Sequence, residues 1–278
     1  IDAGCIVSSN TSTIPIHLLV EDMPVSFRER FAITHYFNPV RYMRLLELVS
    51  GKETSKKVVS KLADFNDRHL GKGVVRCADT PGFLGNRVGV FALQVGIDEA
   101  INCGLSIEDA DALMGRPMGI PKTGVFGLYD LIGIDLMADV VKSLASILPS
   151  DDAFHAVGTE SSVITLMIKN GLTGNKGNGG FYKTNPDGVL HTLQLTGHAG
   201  ENLPPYAAAK QELPELAVRA AVASAKQKEP LVQILEGNTD HAKFCRRVLG
   251  RVLSYAASLI PAVTESPQDI DDAMKLGF

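Results

Sequence analysis

Apolar and polar positions alternate in a way that predicts an α/β sheet domain over residues 1–79. Short apolar or alternating runs are typical of strands, and they occur at Cys5 to Ser8, Phe31 to Phe37, Leu45 to Val49 and Gly73 to Cys77. Lys52 to Leu70 repeats apolar residues at steps of three and four and stops before Gly71, as a helix does. Strands interleaved with helices indicate the closing part of an α/β domain.

A shorter helix is predicted over Ile14 to Leu19, with Thr11 or Ser12 as candidates for its N-cap. Pro15 is tolerated in a first helical turn. The polar turn Ser9-Asn10-Thr11-Ser12 follows the first strand directly. Ligands of open parallel sheets bind at the carboxyl ends of strands, so this turn is also a candidate binding segment.

Helical patterns replace the strands after Asp79-Thr80-Pro81-Gly82. Asn86 to Asn102 is apolar around most of its circumference, which predicts a buried helix. Ser106, followed by acidic residues, predicts the capped start of another helix. With two further helices over Phe126 to Ile132 and Leu136 to Leu148, we expect an all-α domain over residues 80–183.

The glycine-dense residues 171–180 lack the GK[ST] element of a phosphate cradle and precede an extended Phe181-Tyr182-Lys183. We therefore expect a mobile connection here. Residues 184–240 contain Pro186-Asp187-Gly188, Pro204-Pro205 and a polar, Ala-rich helix near Glu215 to Lys226, which together predict a linker with a helix.

The end of the chain resembles the start of the helical domain. A gapless alignment pairs Arg87 with Arg247, Val88 with Val248, Leu93 with Leu253, Asp109 with Asp269, Asp111 with Asp271 and Met114 with Met274. These identities predict a partial second copy of the helical unit over residues 241–278.

Two residues are out of place in the apolar pattern. His35 lies at the carboxyl end of a predicted strand, on the same face as Phe31 and Ile33, and Glu47 lies inside an aliphatic run. Each alone is more often a structural residue, but an unpaired buried carboxylate would cost several kcal/mol. If their strands are neighbours, each residue satisfies the other, and the pair forms an oriented general base.

Composition excludes several classes of function. The net charge of −4, without a block of basic residues, argues against a nucleic-acid partner. No apolar stretch approaches the ~18 residues of a membrane span. Cys5, Cys77, Cys103 and Cys245 form no CxxC pair, so we expect neither a metal site nor a disulfide framework, but reduced thiols in a cytoplasmic protein.

The motifs, taken together and in order, resemble the 3-hydroxyacyl-CoA dehydrogenase family of fatty-acid β-oxidation from about residue 5 to 183. They are Ser9-Asn10-Thr11-Ser12, His35-Tyr36-Phe37-Asn38-Pro39, Leu46-Glu47-Leu48-Val49, Asp79-Thr80-Pro81-Gly82-Phe83 with Asn86-Arg87, and Gly179-Gly180-Phe181-Tyr182. The repeated helical unit is similar to the multifunctional bacterial enzymes of this family. The resemblance implies a Rossmann-like NAD-binding domain, followed by the family's C-terminal helical domain and part of a second copy.

The resemblance also implies roles for residues. His35 would take the proton of the 3-hydroxyl while hydride leaves C3 for NAD, and Glu47 would orient its ring. Ser12 and Asn86 would bind the acyl-CoA substrate. Asn10, Ser12, Asn38 and Lys176 would lie near the cofactor, and the helical domain would support self-association.

The chain departs from the family in one respect, because no GxGxxG turn occurs in it. Ile1 and the helical pattern running to Phe278 suggest a segment of a longer chain, with that turn upstream. We therefore expect the segment alone to bind NAD weakly and to be inactive. An acyl-CoA-binding or oligomerisation module without catalysis is the main alternative. A dehydrogenase for sugars or small hydroxy acids is a third, against which the His35 and Glu47 pairing argues.

Overall fold

The computed structural model describes all residues except 1, 3, 121, 160, 196–201, 227 and 278. The chain forms two compact units. The first contains Ile1–Val90, Ile147–Pro149 and Leu253–Phe278, and the second contains Phe91–Ser146 and Ser150–Val252.

A four-stranded sheet is the centre of the first unit. Its strands, in spatial order, are β1 (Val7–Ser9), β2 (Phe31–Tyr36), β3 (Leu45–Ser50) and β4 (Gly73–Cys77). β1 is parallel to β2 and β3 is parallel to β4, whereas β2 and β3 are antiparallel. The predicted strands are therefore confirmed, and so is the prediction that the strands of His35 and Glu47 are neighbours.

Helix α3 (Lys56–Leu70) covers one face of this sheet. Ser55 caps it by accepting a hydrogen bond from the backbone N–H of Val58, and Gly71 ends it with a left-handed φ of 65°. Val58 packs with Ala32 and Leu48 in a buried cluster. The predicted helix and its glycine stop are confirmed, with the start four residues later than expected because Ser55 is the cap.

The first unit also contains two short helices, α1 (Ile16–Leu19) and α2 (Val25–Arg28). The predicted cap of α1 at Thr11 or Ser12 is wrong. Its N-cap is Pro15, which has no side-chain oxygen to offer, and the first N–H groups of the helix donate to Asp79 instead.

The last helix of the chain, α12 (Pro267–Gly277), packs on the other face of β3 and β4. A Cβ at Gly73 would lie 2.3 Å from Leu276 Cδ1, and a Cβ at Gly277 would lie 2.5 Å from Leu45 Cδ2. Since side chains alternate along a strand, Leu45 and Glu47 project to the same face. Residues of the predicted second copy thus pack on the sheet face to which Glu47 projects.

The second unit is mostly helical. α4 (Gly85–Asn102) begins in the first unit and ends in the second, and α11 (Asp240–Ser258) begins in the second and ends in the first. The other helices up to residue 184 are α5 (Ile107–Leu113), α6 (Phe126–Ile132), α7 (Ile134–Ile147) and α8 (Ser162–Lys169), with 3-10 turns at Arg116–Met118 and Ala153–Ala156. α8 was not expected from the sequence. In the gapless alignment of the two predicted copies, Pro267, the first residue of α12, pairs with Ile107, the first residue of α5.

The predicted linker over residues 184–240 differs from the structure. β5 (Tyr182–Thr184), β6 (Leu190–Leu193) and β7 (Tyr206–Ala208) form an antiparallel sheet, and α9 (Glu215–Ala225) and α10 (Pro230–Leu235) follow it. Glu108 anchors this segment by accepting hydrogen bonds from Thr192 and from the backbone N–H of Lys210. Residues 196–201 and 227 of the predicted linker lie outside the described residues.

The glycine-dense residues 171–180 make hydrogen bonds to neighbouring helices, from Asn175 N–H to Asp130 O and from Ile134 N–H to Thr173 O. Their expected mobility stays a prediction. Asp130 of α6 accepts hydrogen bonds from the backbone N–H groups of Phe181 and Tyr182, both at 2.8 Å. A Cβ at Gly180 would lie 1.9 Å from Asp130 Oδ1, so only glycine fits there. Burial raises the pKa of Asp130 to about 6, against the lowering effect of these two hydrogen bonds.

In the part of the chain that the structure describes, no helix is long and apolar enough to cross a membrane. The described residues also contain no cluster of His, Cys, Asp and Glu side chains that could hold a metal ion.

Candidate active site

His35 and Glu47 form a buried hydrogen-bonded pair between two neighbouring strands. They are register partners on β2 and β3, and His35 Nδ1 lies 2.6 Å from Glu47 Oε2. The side chain of Glu47 is fully buried and that of His35 is 7% exposed. The pairing expected from the two anomalies in the sequence is therefore present.

The second oxygen of Glu47 is held by the start of α4. Oε1 accepts hydrogen bonds from the backbone N–H groups of Leu84 at 2.9 Å and Gly85 at 2.6 Å. These N–H groups have no partner within the helix, and the positive end of the helix dipole favours an anion at this position. The environment of Glu47 is thus suited to a carboxylate.

The turn before α4 directs those N–H groups at Glu47. Gly82 and Phe83 both have left-handed backbones, with φ of 73° and 48°, and such a φ is uncommon for a residue other than glycine. Gly85 is required for the close approach, because a Cβ there would lie 2.6 Å from Phe37 Cζ. Pro81-Gly82 is the sequence signal for this turn.

Two aromatic rings shield the pair. The ring centroid of Phe37 lies 4.5 Å from that of His35, and the ring centroid of Phe83 lies 6.0 Å from it. Low exposure and apolar neighbours strengthen the attraction between an imidazolium and Glu47.

The geometry fixes the tautomer of His35. A carboxylate only accepts hydrogen bonds, so the proton of neutral His35 is on Nδ1 and the lone pair is on Nε2. Within the described residues, Nε2 has no hydrogen-bond partner. His35 can therefore receive a proton at Nε2 while Glu47 stabilises the resulting imidazolium, as in a base and orienter pair.

Cys77 is a neighbour of the pair that sequence reasoning missed. Its Sγ lies 3.7 Å from Glu47 Oε1. Burial, followed by the charge of Glu47, raises the pKa of Cys77 well above its usual value, so the thiol stays protonated and can donate weakly to the carboxylate. Its position at the end of β4 was predictable, but its contact was not.

Three other predicted site residues lie on segments around the pair. Asn10 Oδ1 accepts a hydrogen bond from the backbone N–H of Tyr36 at 2.9 Å, directly after His35. Ser12 is exposed, and its carbonyl oxygen accepts a hydrogen bond from Asn86 Nδ2 at 3.0 Å. The structure therefore joins Ser12 to Asn86 and joins Asn10 to the strand of His35.

The remaining two predicted residues lie elsewhere. Asn38 is exposed in the segment after β2. Lys176 belongs to the second unit, where its Nζ lies 2.6 Å from Asp135 Oδ1. This hydrogen bond lowers the pKa of the Asp135 carboxyl. Their roles near a cofactor stay predictions.

The first unit is an α/β unit with a buried histidine and glutamate pair at its strands, and the chain continues into a mostly helical unit. Comparison with known families identifies the class of protein. Residues 1–80 match the NAD binding domain of 3-hydroxyacyl-CoA dehydrogenase, and residues 82–184 match the C-terminal domain of the same family. The two matches cover more than half of the chain, which belongs to the 3-hydroxyacyl-CoA dehydrogenase family.

Individual relatives agree with this assignment. A Rickettsia prowazekii protein, provisionally named a fatty acid oxidation complex trifunctional enzyme, is 37% identical over 98% of this chain and 36% of its own length. The human mitochondrial hydroxyacyl-coenzyme A dehydrogenase is 34% identical over 64% of this chain and 54% of its own length.

A solved structure shares the fold. The 3-hydroxybutyryl-CoA dehydrogenase of Escherichia coli K12 matches with a TM-score of 0.64 and 24% identity, over 99% of this chain and 66% of that chain. The chain spans about a third of the length of the first curated relatives that it matches.

Proposed function

We propose that this chain supplies the proton-transfer site of an NAD-dependent 3-hydroxyacyl-CoA dehydrogenase, which oxidises (S)-3-hydroxyacyl-CoA to 3-oxoacyl-CoA in fatty-acid β-oxidation. The observation that carries the proposal is the buried contact of 2.6 Å between His35 Nδ1 and Glu47 Oε2. Family membership supports the choice of reaction.

In the proposed reaction, His35 Nε2 takes the proton of the substrate's 3-hydroxyl group. Bound NAD supplies the acceptor for the hydride that leaves C3. Glu47 keeps the proton of neutral His35 on Nδ1 and stabilises the imidazolium, while Leu84 and Gly85 hold Glu47 in place. Ser12 and Asn86, which the structure joins, bind the substrate's oxygens.

The residues present fit the reactive end of NAD but not the whole dinucleotide. Asn10, Ser12 and Asn38 are exposed polar residues at the ends of β1 and β2, which suits a nicotinamide ring and its ribose. The chain has no GxGxxG turn to receive the pyrophosphate. We therefore propose that residues 1–278 by themselves bind NAD weakly and turn over slowly or not at all, and that Lys176 assists cofactor binding.

The wider properties belong to the same proposal. The substrate class is acyl-CoA, the enzyme is cytoplasmic, and the second unit supports self-association. Functionally, residues 1–79 serve as the NAD-binding part, residues 80–183 as the helical part, and residues 241–278 as part of a second helical copy.

The test is the oxidation of NADH by acetoacetyl-CoA, followed by loss of NADH absorbance, on the protein as its gene encodes it. His35→Gln is expected to lower kcat by about 10³-fold or more, since the imidazole that carries the proton in either direction of the reaction is lost. His69→Gln, an exposed histidine on α3, is the matched control and should leave kcat unchanged.

Two results would overturn the proposal. If His35→Gln keeps turnover within about tenfold of the unsubstituted protein, His35 is not the base. If the folded, unsubstituted protein is inactive on acyl-CoA of every chain length, the function is not dehydrogenation, and a module that binds acyl-CoA or joins subunits replaces it.

A further inference from the structure

Asp79 has an unusual place in the first unit, directly after β4 and before the turn that leads to α4. Its side chain is 17% exposed. Oδ1 accepts a hydrogen bond from the backbone N–H of Ile16 at 2.5 Å, and Oδ2 accepts one from the N–H of His17 at 3.2 Å. Asp79 thus acts as the cap that Pro15 cannot provide for α1.

The segment before α1 carries Ser12 and is tied down at both ends. At one end, Asn10 Oδ1 is bonded to the N–H of Tyr36, next to His35. At the other end, Asp79 holds Ile16 and His17. Residues 10–16 are therefore a short loop fixed between β2 and the end of β4.

The same turn after Asp79 also reaches this loop and Glu47. The N–H of Gly82 donates to Thr13 O at 3.1 Å, and Leu84 and Gly85 then donate to Glu47 Oε1. Asp79 is the first link between the loop of Ser12 and the segment that supports Glu47.

We infer that Asp79 is a positioning residue. It fixes the position of Ser12 relative to the His35 and Glu47 pair, so that the substrate oxygen bound by Ser12 lies within reach of His35. The inference rests on the proposed role of Ser12 as a substrate contact. A displacement of about 1 Å in a catalytic arrangement can cost about 10²-fold in rate. A carboxylate that fixes two backbone N–H groups across the unit is suited to prevent such a displacement.

The imidazole of His17 adds little to this arrangement. Its Nδ1 lies 3.1 Å from Asp79 Oδ2, but its side chain is 64% exposed, and exposed ion pairs contribute little. The two backbone hydrogen bonds therefore carry the effect.

The test is a double-mutant cycle on kcat/KM for acetoacetyl-CoA in the protein as its gene encodes it. In Asp79→Asn, the amide nitrogen would face one of the two N–H donors, so one hydrogen bond is lost at nearly constant size. We expect kcat/KM to fall about tenfold in the unsubstituted background but less than about twofold in a Ser12→Ala background, because the residue acts through Ser12. Asp64→Asn, at an exposed ion pair on α3, is the matched control and should change kcat/KM in neither background.

Hydrogen exchange of the same variants gives a readout that needs no activity. Asp79→Asn should speed exchange in the peptide that contains residues 10–17, and Asp64→Asn should not. Equal losses of kcat/KM in both backgrounds, or unchanged exchange in residues 10–17, would overturn the inference. An inactive unsubstituted protein would overturn the proposed function instead, while the exchange result would still decide whether Asp79 fixes the loop.

Discussion

Glu47→Gln tests the mechanism most severely, because the structure dictates how the new amide must lie. Leu84 and Gly85 both donate N–H groups to Oε1, so the carbonyl oxygen of Gln must take that place. The amide nitrogen then faces His35 Nδ1, which lies 2.6 Å from the present Oε2. An amide nitrogen only donates, so the ring must accept at Nδ1 and carry its proton on Nε2. The lone pair that receives the substrate's proton is lost.

The expected magnitude follows from this change of tautomer. An amide in place of the orienting carboxylate costs about 10⁴-fold in kcat in serine proteases. We expect a loss of about 10³- to 10⁴-fold here, or about 4 to 5.5 kcal/mol of transition-state stabilisation. The free energy of unfolding should fall by only about 1 to 2 kcal/mol, because each buried polar group keeps a partner.

The assay is kcat and KM for the oxidation of (S)-3-hydroxybutyryl-CoA by NAD, the direction in which His35 accepts the proton, with thermal unfolding as a check of folding. Glu53→Gln, at a half-exposed ion pair with Arg28, is the matched control and should keep full activity. A folded Glu47→Gln protein with kcat within about tenfold of the unsubstituted value would refute the orienting role.

Three further predictions follow from the contacts. Gly85→Ala places a Cβ 2.6 Å from Phe37 Cζ, so it should lower the free energy of unfolding by about 1 to 3 kcal/mol in denaturant titrations and lower kcat; unchanged values of both would contradict the packing. Cys77→Ala removes a weak donor 3.7 Å from Glu47 Oε1, which makes the carboxylate hold the His35 proton more tightly. In the oxidation of (S)-3-hydroxybutyryl-CoA by NAD, where His35 must start unprotonated, the acid limb of the kcat/KM profile should therefore move to higher pH, and an unmoved limb would exclude the contact. Burial raises the pKa of Asp130 to about 6, so the native state binds the proton of this group more tightly than the unfolded state does. The contribution of Asp130 to stability is therefore present below about pH 4 and lost as the pH rises through about 6. In urea titrations between those pH values, the free energy of unfolding should decrease by about 3 kcal/mol less in Asp130→Asn than in the unsubstituted protein. Equal decreases in the two proteins would contradict the raised pKa of Asp130.

The sequence predicts the contact between His35 and Glu47 because both residues break a local rule. A histidine on an apolar strand face and a glutamate in an aliphatic run each need a partner, and the period of two of the strands leaves one economical pairing. The strands and most helices follow for a similar reason, since apolar periodicity and glycine stops are local signals. Gly71 at the end of α3 is an example.

The contacts that the sequence does not reveal are between distant segments. Asp79 caps α1 across the first unit, and nothing near Ile16 indicates it. The three strands within residues 182–208 are short, and Glu108, far away in sequence, anchors them. Leu84 and Gly85 act through backbone N–H groups, which carry no side-chain signature. The local sequence pattern identifies the helices and strands well, whereas the hydrogen bonds between distant segments depend on the folded arrangement.

The most direct test of the account is the tautomer of His35, measured by ¹⁵N NMR of the protein labelled in its histidine rings and assigned with His35→Gln. We predict that neutral His35 carries its proton on Nδ1, hydrogen-bonded to Glu47, with Nε2 unprotonated, and that Glu47→Gln reverses the protonation of the two nitrogens. Neutral His35 with its proton on Nε2 in the unsubstituted protein would contradict the account, because the ring would then have no lone pair to receive the substrate's proton.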